Sequence, residues 1–276
     1  MAFRSNIYKT AAELALMVEP GLITAAALDA VRAAIRPGIT TLELHAVAEK
    51  VIRDAGAEPN FMLVPGYRHT ICASVNEEVV HGIPGARVLQ PGDLVSIDCG
   101  AQLAGWNGDS AFSVVVPDPS RPDLVAERQR LSDVTEQSLW HGVAALASVK
   151  RLNQVGAAIE QYIESQGDFG IIEDYTGHGI GSEMHMAPDV PNYRTNHRGP
   201  KIRPGLCLAI EPMLVRGSIE TAVLDDDWTV VTTDGKRSCQ WEHSVAVHEQ
   251  GIWVLSAPDG GAAKLAPLGV VPVPIP

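Results

Sequence analysis

Ile97-Asp98-Cys99-Gly100-Ala101-Gln102-Leu103-Ala104-Gly105-Trp106-Asn107-Gly108-Asp109-Ser110 is the stretch around which the chain is organised. A short apolar run, Leu94-Val95-Ser96-Ile97, delivers the first carboxylate, Asp98. The second, Asp109, follows a Gly-containing turn. Asp is a poor strand former, and an unpaired buried carboxylate is costly. Two of them on adjacent strands of one hairpin point to a shared cation, so the rest of the chain must supply further ligands.

Composition narrows the class. The 276 residues are 46% hydrophobic and 20% charged, a globular balance near the upper size of one core. The net charge of −12 offers no electrostatic help toward nucleic acid or an anionic membrane, and neither partner is expected. Apolar runs read as shorter than the ~18 residues of a membrane span. Met1-Ala2-Phe3-Arg4-Ser5 lacks a signal-peptide pattern. Cys72, Cys99, Cys207 and Cys239 are scattered, with no CxxC pair, which fits a reducing cytoplasm.

Taken in order, Thr10-x-x-Glu13 and Thr40-x-x-Glu43 are capping boxes that open helices. The first helix is expected to run to about Arg36, with Pro20-Gly21 as a bend, and the second to end near Gly56. Strands are expected at 61–64 and 70–75, and in the hairpin ending at 113–116. Helices follow at 122–147 and 153–166. Later strands fall at 170–175, 206–210, 228–232, 238–247 and 252–255. The Pro-rich segment 266–276 reads as a tail outside the core, after one catalytic domain over 1–265.

A weak repeat appears at an offset of 113 residues. Leu89-Gln90-Pro91-Gly92 leads to a strand ending in Asp98, and Ile202-Arg203-Pro204-Gly205 to one ending in Glu211. At the same offset Ile39, Leu42 and Ala46 fall on Leu152, Val155 and Ile159. The halves are therefore expected to be related by a pseudo-two-fold, with Asp98 and Glu211 facing across it. Three further ligand candidates stand out: His178 between glycines in Gly177-His178-Gly179, Glu211 before Pro212, and Glu242 in Gln240-Trp241-Glu242-His243. Four carboxylates and one imidazole suit two divalent first-row cations.

The order Asp98, Asp109, His178, Glu211, Glu242, with Val79-Val80-His81-Gly82-Ile83-Pro84 ahead of it, resembles the type I methionine aminopeptidases of the bacterial sort over residues 11–255. The resemblance implies an α+β pita-bread fold, two pseudo-symmetric halves of antiparallel strands flanked by helices. It implies removal of N-terminal methionine ahead of a small second residue, with a water or hydroxide bridging two metal ions as nucleophile. Asp98 would bind one metal, Asp109 and Glu242 would bridge, and His178 and Glu211 would complete the other site. Glu211 would also be the general base. His185 would stabilise the oxyanion and His81 would contact the substrate backbone.

The methionine pocket falls on Phe61, Val64, Tyr67, Cys72, Met184 and Trp228, of which Phe61, Val64 and Met184 depart from the common bacterial Cys, Tyr and Phe. The metals would be cobalt, manganese, iron or zinc. A monomer acting on nascent polypeptide N-termini, in contact with the ribosome, is implied. Glu211 and Glu242 are only 31 residues apart, which leaves no room for the helical insertion of type II enzymes. The rivals are a Xaa-Pro aminopeptidase or prolidase, which usually carries a large N-terminal domain, and a metal-free pita-bread binding module.

Overall fold

A computed structural model describes residues 7–276. The segment Met1–Ser5 read for a targeting signal lies outside the described residues. Helix α1 (Ala11–Leu16) and α2 (Val18–Ala34) take the place of the single expected helix. The break falls at Met17, not at Pro20-Gly21. Pro20 has no N–H for the Leu16 carbonyl four residues back, so the ladder is interrupted one turn before the proline. Both capping boxes form: Glu13 N–H donates to Thr10 Oγ1 and Glu43 N–H to Thr40 Oγ1, at 3.3 and 3.2 Å. The second opens α3 (Thr41–Asp54).

Strand β1 (Glu58–Pro59) leads into a 3₁₀ turn at Asn60–Leu63, where the sequence suggested a strand. Pro59 and Pro65 bracket that turn, and Val64 N–H closes it on Phe61 O at 3.0 Å. Next come β2 (Ile71–Val75), β3 (Glu78–Val80), and the hairpin of β4 (Leu94–Leu103) and β5 (Trp106–Val115). Its two-residue turn, Ala104-Gly105, has φ of 50° and 81°, the left-handed pair that matches strand twist. Helices α4 (Pro122–Ala145) and α5 (Asn153–Gln166) follow closely as expected.

The second half holds β6 (Gly170–Ile171), β7 (Gly177–Gly179), β8 (Met186–Val190), β9 (Cys207–Ile210) and β10 (Met213–Val215). Then come β11 (Thr221–Val223), β12 (Val230–Thr232), β13 (Ser238–Gln240), β14 (Glu242–His248), β15 (Gly251–Val254) and α6 (Ala262–Leu265). The strand expected at 170–175 shortens to two residues, and the one at 238–247 splits at Trp241, whose N–H turns to Pro212 O.

Nine strands form one antiparallel sheet along β1-β4-β5-β14-β9-β7-β8, with β2 on β4 and β15 on β14. The order β2-β4-β5 on one side answers β7-β9-β14 on the other, and the halves meet where Ala111 of β5 pairs with Glu242 of β14. That is the pita-bread arrangement, and the strand half of the repeat holds. In the helices the register differs by two residues. The buried face of α3 is Leu44, Ala48 and Ile52, that of α5 is Val155, Ile159 and Ile163, and Leu42 is exposed.

One face of the sheet carries the helices. Ile97, Cys99 and Phe112 pack in the cluster that includes Ile23, Leu28 and Val31 of α2. Ile210 and Val245 pack with Leu131, Leu139 and Val143 of α4. By length and composition residues Ala11–Ala34 could cross a membrane, contrary to the sequence expectation, but 56% of that apolar window is buried inside this protein. The tail is docked: Val273 N–H donates to Ile252 O at 3.0 Å, His248 Nε2 lies 2.7 Å from Val273 O, and Ile275 packs against a core cluster.

Candidate active site

The sheet's register builds the site. On β4 and β5, Asp98 pairs with Ala111 and Gly100 with Asp109, so Asp98 and Asp109 are diagonal neighbours on one face. Cys72 of β2 pairs with Asp98 and shares that face. Glu242 joins it through Ala111. On the other half His178 pairs with Ala209, and Ala209 with Ser244, two residues beyond Glu242 on the same face. Glu211, two residues past Ala209, completes the set as β9 ends. The opposite face is packed against α2 and α4, so all five groups are turned away from those helices and into one cavity.

That cavity, of about 460 Å³, is lined by all five of these residues, by His81 and His185, and by the six expected pocket residues. The groups meet in overlapping triads, with one ligand atom from each member within 4.8 Å of the others. These are Asp98–Asp109–Glu242, His178–Glu211–Glu242 and Asp109–His178–His185. Glu242, Asp109 and His178 each belong to two of them, and Asp98, Glu211 and His185 to one each. His185 is thus also within reach of a cation, a placement the sequence reading did not give it. Its ring stands edge-on to that of His178, centroids 4.4 Å apart.

The electrostatics point to missing positive charge. Burial pushes Asp98 up to about 7 and raises Asp109, Glu211 and Glu242 well above the usual carboxylate range. Their mutual repulsion adds to the effect in the last three. Asp98 Oδ1, Asp109 Oδ1 and Glu242 Oε1 are buried with no hydrogen-bond partner. Orphaned oxygens of this kind, beside an imidazole, fit divalent cations. His178 Nδ1 lies 3.0 Å from Gly179 O and donates to it as the neutral ring, leaving the Nε2 lone pair toward the carboxylates. Nε2 is 3.7 Å from Glu211 Oε1 and 3.9 Å from Asp109 Oδ2. Burial, then the neighbouring His185, pulls His178 down to about 4 and favours that neutral ring.

The glycines around His178 serve packing and not unusual dihedrals. A Cβ on Gly177 would meet Ala209 O at 2.3 Å, and one on Gly179 would meet Ala187 O at 2.2 Å. His81 has φ of 61°, and Gly82 beside it packs on β2, its carbonyl accepting from Ala73 N–H. The His81 ring sits edge-on to Tyr175 and Trp228. Burial, with His185 nearby, lowers it to about 4.

Phe61, Tyr67 and Cys72 form an apolar cluster joined by Val64, Met184 and Trp228. The 3₁₀ turn makes this possible, because it eclipses residues three apart where a strand would send Phe61 and Val64 to opposite faces.

The sequence reading gave no role to several groups found here. Gln240 Nε2 donates to Glu211 Oε2 at 3.2 Å, and Asn192 Nδ2 to Glu211 O at 3.1 Å. Tyr175 and Met213 line the cavity. Gln240 shares parity with Glu242, a signal present in the sequence. Asn192 lies 19 residues from Glu211 and left no such signal.

Comparison with known proteins agrees with the geometry. Residues 15–249 match the model of metallopeptidase family M24. The chain is 48% identical to methionine aminopeptidase 1 of Mycobacterium tuberculosis over 254 residues, 90% of this chain and 94% of the other. It is 44% identical to methionine aminopeptidase 1 of Bacillus subtilis, covering 91% and 98%. The crystal structure of methionine aminopeptidase from Rickettsia prowazekii superposes with a TM-score of 0.85 at 31% identity, covering 91% and 99%. The prolidase from Pyrococcus horikoshii, at 19% identity and a TM-score of 0.69, shares the fold alone. This chain belongs to metallopeptidase family M24, as one of its methionine aminopeptidases.

Proposed function

We propose that the chain removes N-terminal methionine from peptides and nascent proteins whose second residue is small. The observation that carries the reading is one cavity with two unlike ends. Orphaned carboxylate oxygens line one end, and the apolar group around Phe61, Tyr67 and Trp228 the other. Asp98, Asp109, His178, Glu211 and Glu242 would hold two divalent cations, with Asp109 and Glu242 shared, since a carboxylate has two oxygens to offer and both sit in more than one triad. When bound, such cations polarise the scissile carbonyl and lower the pKa of the attacking water. Cobalt, manganese, iron and zinc all suit this oxygen-rich set with one imidazole.

The protein's own groups do the rest. Glu211, steadied by Gln240, takes the proton from the attacking water and passes it to the leaving amine. His178 is kept in one tautomer by Gly179 O. His185 donates to the oxygen on which charge develops, and His81 holds the substrate backbone. The methionine side chain lies among Phe61, Val64, Tyr67, Cys72, Met184 and Trp228. Residues 1–265 act as one catalytic unit, a monomer that meets nascent chains at the ribosome in the cytoplasm, and 266–276 form its docked tail. The test is a peptide series on metal-stripped protein reloaded with each divalent metal in turn. Met-Ala-Ser is expected to be cleaved and Ala-Pro-Ser spared. Preference for the Xaa-Pro peptide, or no turnover with any metal, overturns the proposal.

A further inference from the structure

Away from the catalytic cavity, a basic cluster stands out against the acidic character of the chain. A second cavity, of about 340 Å³, lies where α4 passes the end of β10 and the start of β13. Arg128, Arg216, Lys236 and Arg237 line it, against the single carboxylate of Glu127. Among the described residues none of these four cations forms an ion pair, although the protein carries a net charge of −12. Asp234 on the same loop accepts from the backbone N–H groups of Ser218 and Lys236 and feels the Lys236 charge from beyond ion-pair distance, and Arg216 donates to Asp168 O at 3.2 Å and stacks on Phe169.

Two of the cations are in an unusual state for surface residues. Arg128 is 9% exposed, and one of its N–H groups is held by Gly92 O. Burial, followed by the like charge of Arg237, lowers the Arg128 guanidinium below its ordinary range. Arg237 reaches Gly235 O through Nη1, but its Nε is buried with no partner. A desolvated donor on a guanidinium facing another guanidinium is costly without an anion. Planar guanidinium forks match phosphate oxygens in geometry and charge.

Two paired strands run from this cavity to the catalytic one. Strands β10 and β13 pair Met213 with Gln240, Leu214 with Cys239 and Val215 with Ser238, and Arg216 N–H donates to Arg237 O at 3.4 Å. At the far end Met213 lines the catalytic cavity and Gln240 holds Glu211. We propose that Arg128, Arg216, Lys236 and Arg237 bind a small diphosphate-bearing anion, and that its occupancy is relayed along β10 and β13 to Met213 and Gln240. Only the relay's catalytic meaning rests on the peptidase reading; the binding stands apart from it.

The test titrates inorganic diphosphate, and separately ADP, into the EDTA-treated full chain by calorimetry, so that chelation of catalytic metal cannot mimic binding. One saturable site is expected for diphosphate. Equal affinity for both ligands assigns the free anion, and tighter ADP a nucleotide. The double variant Arg216→Ser/Lys236→Ser changes two exposed side chains outside the catalytic cavity and is expected to bind about tenfold or more weakly. No saturable heat, unchanged affinity in the variant, or complete displacement by physiological sodium chloride overturns the site. Amide NMR signals of Met213 and Gln240 are expected to shift with occupancy, and their failure to move overturns the relay.

Discussion

Asp109 sits where a carboxylate costs the metal-free protein stability, hemmed in by Asp98, Glu211 and Glu242 with one oxygen unpartnered. Asp109→Ala is therefore expected to lose metal and more than about 100-fold of activity while the metal-free fold becomes no less stable. Metal analysis beside thermal melts checks this, and wild-type metal content would show that Asp109 is not a shared ligand. Gln240→Leu keeps the volume but frees Glu211 Oε2, and kcat is expected to fall about 10- to 100-fold with metal content kept. His185→Ala is expected to lower kcat about 100- to 1000-fold, as removal of an oxyanion donor does. At this scale the sequence was informative where chemistry forbids a cheaper choice: Asp in a strand, Glu before Pro212, His between glycines. It was silent on Asn192, because an amide that supports a distant carbonyl looks like any surface polar residue.

Elements form where local signals agree and shift where packing overrides them. Thr40→Ala removes the N-cap acceptor of α3 and the reciprocal contact of Glu43, and a loss of about 1 kcal/mol is expected in chemical denaturation. The seat of α2 on the sheet is tighter. A Cβ on Gly108 would meet Pro20 O at 2.6 Å and Gly21 Cα at 2.7 Å. Gly108→Ala is expected to cost about 1–3 kcal/mol and, by shifting β5 beside Asp109, to weaken metal affinity as well. Denaturation and metal titration on the same sample separate the two effects. The capping boxes, the hairpin and α5 were legible because each is decided within a few residues. The turn at Asn60–Leu63 was not, since Phe-Met-Leu-Val has strand propensity and only the flanking prolines and the pocket packing of Phe61 and Val64 favour 3₁₀ geometry.

For the molecule as a whole, the carboxylate cluster ties stability to metal and pH. Each of the four acids binds its proton more tightly in the folded state than in the unfolded chain. The folded protein therefore holds more protons between about pH 4, where free carboxylates ionise, and the raised folded values, near 7 for Asp98. The acids' contribution to the stability of the metal-free protein therefore falls as pH rises through that window, while His81, His178 and His243, lowered to about 4, give the opposite slope below about pH 6.5, so a net fall is expected above it. Melting scans in EDTA from about pH 6.5 to 8 are expected to show a falling midpoint, and a divalent cation, supplying the charge that protons otherwise supply, to restore it most at the high end. A metal-free midpoint that rises over that range would contradict the cluster's electrostatics.

By itself the sequence determined the candidate ligand set, the family and the two-fold plan, because those rest on residue types that strands and turns otherwise avoid and on a strand repeat that survives in the register. Only the tertiary structure decided that all five candidate ligands share one sheet face, that Asp109, His178 and Glu242 each lie in two triads, and that four cations with no ion pair among the described residues gather beside α4. Those facts depend on cross-strand register between segments more than a hundred residues apart, and register is set by the packing of both sheet faces rather than by any local pattern.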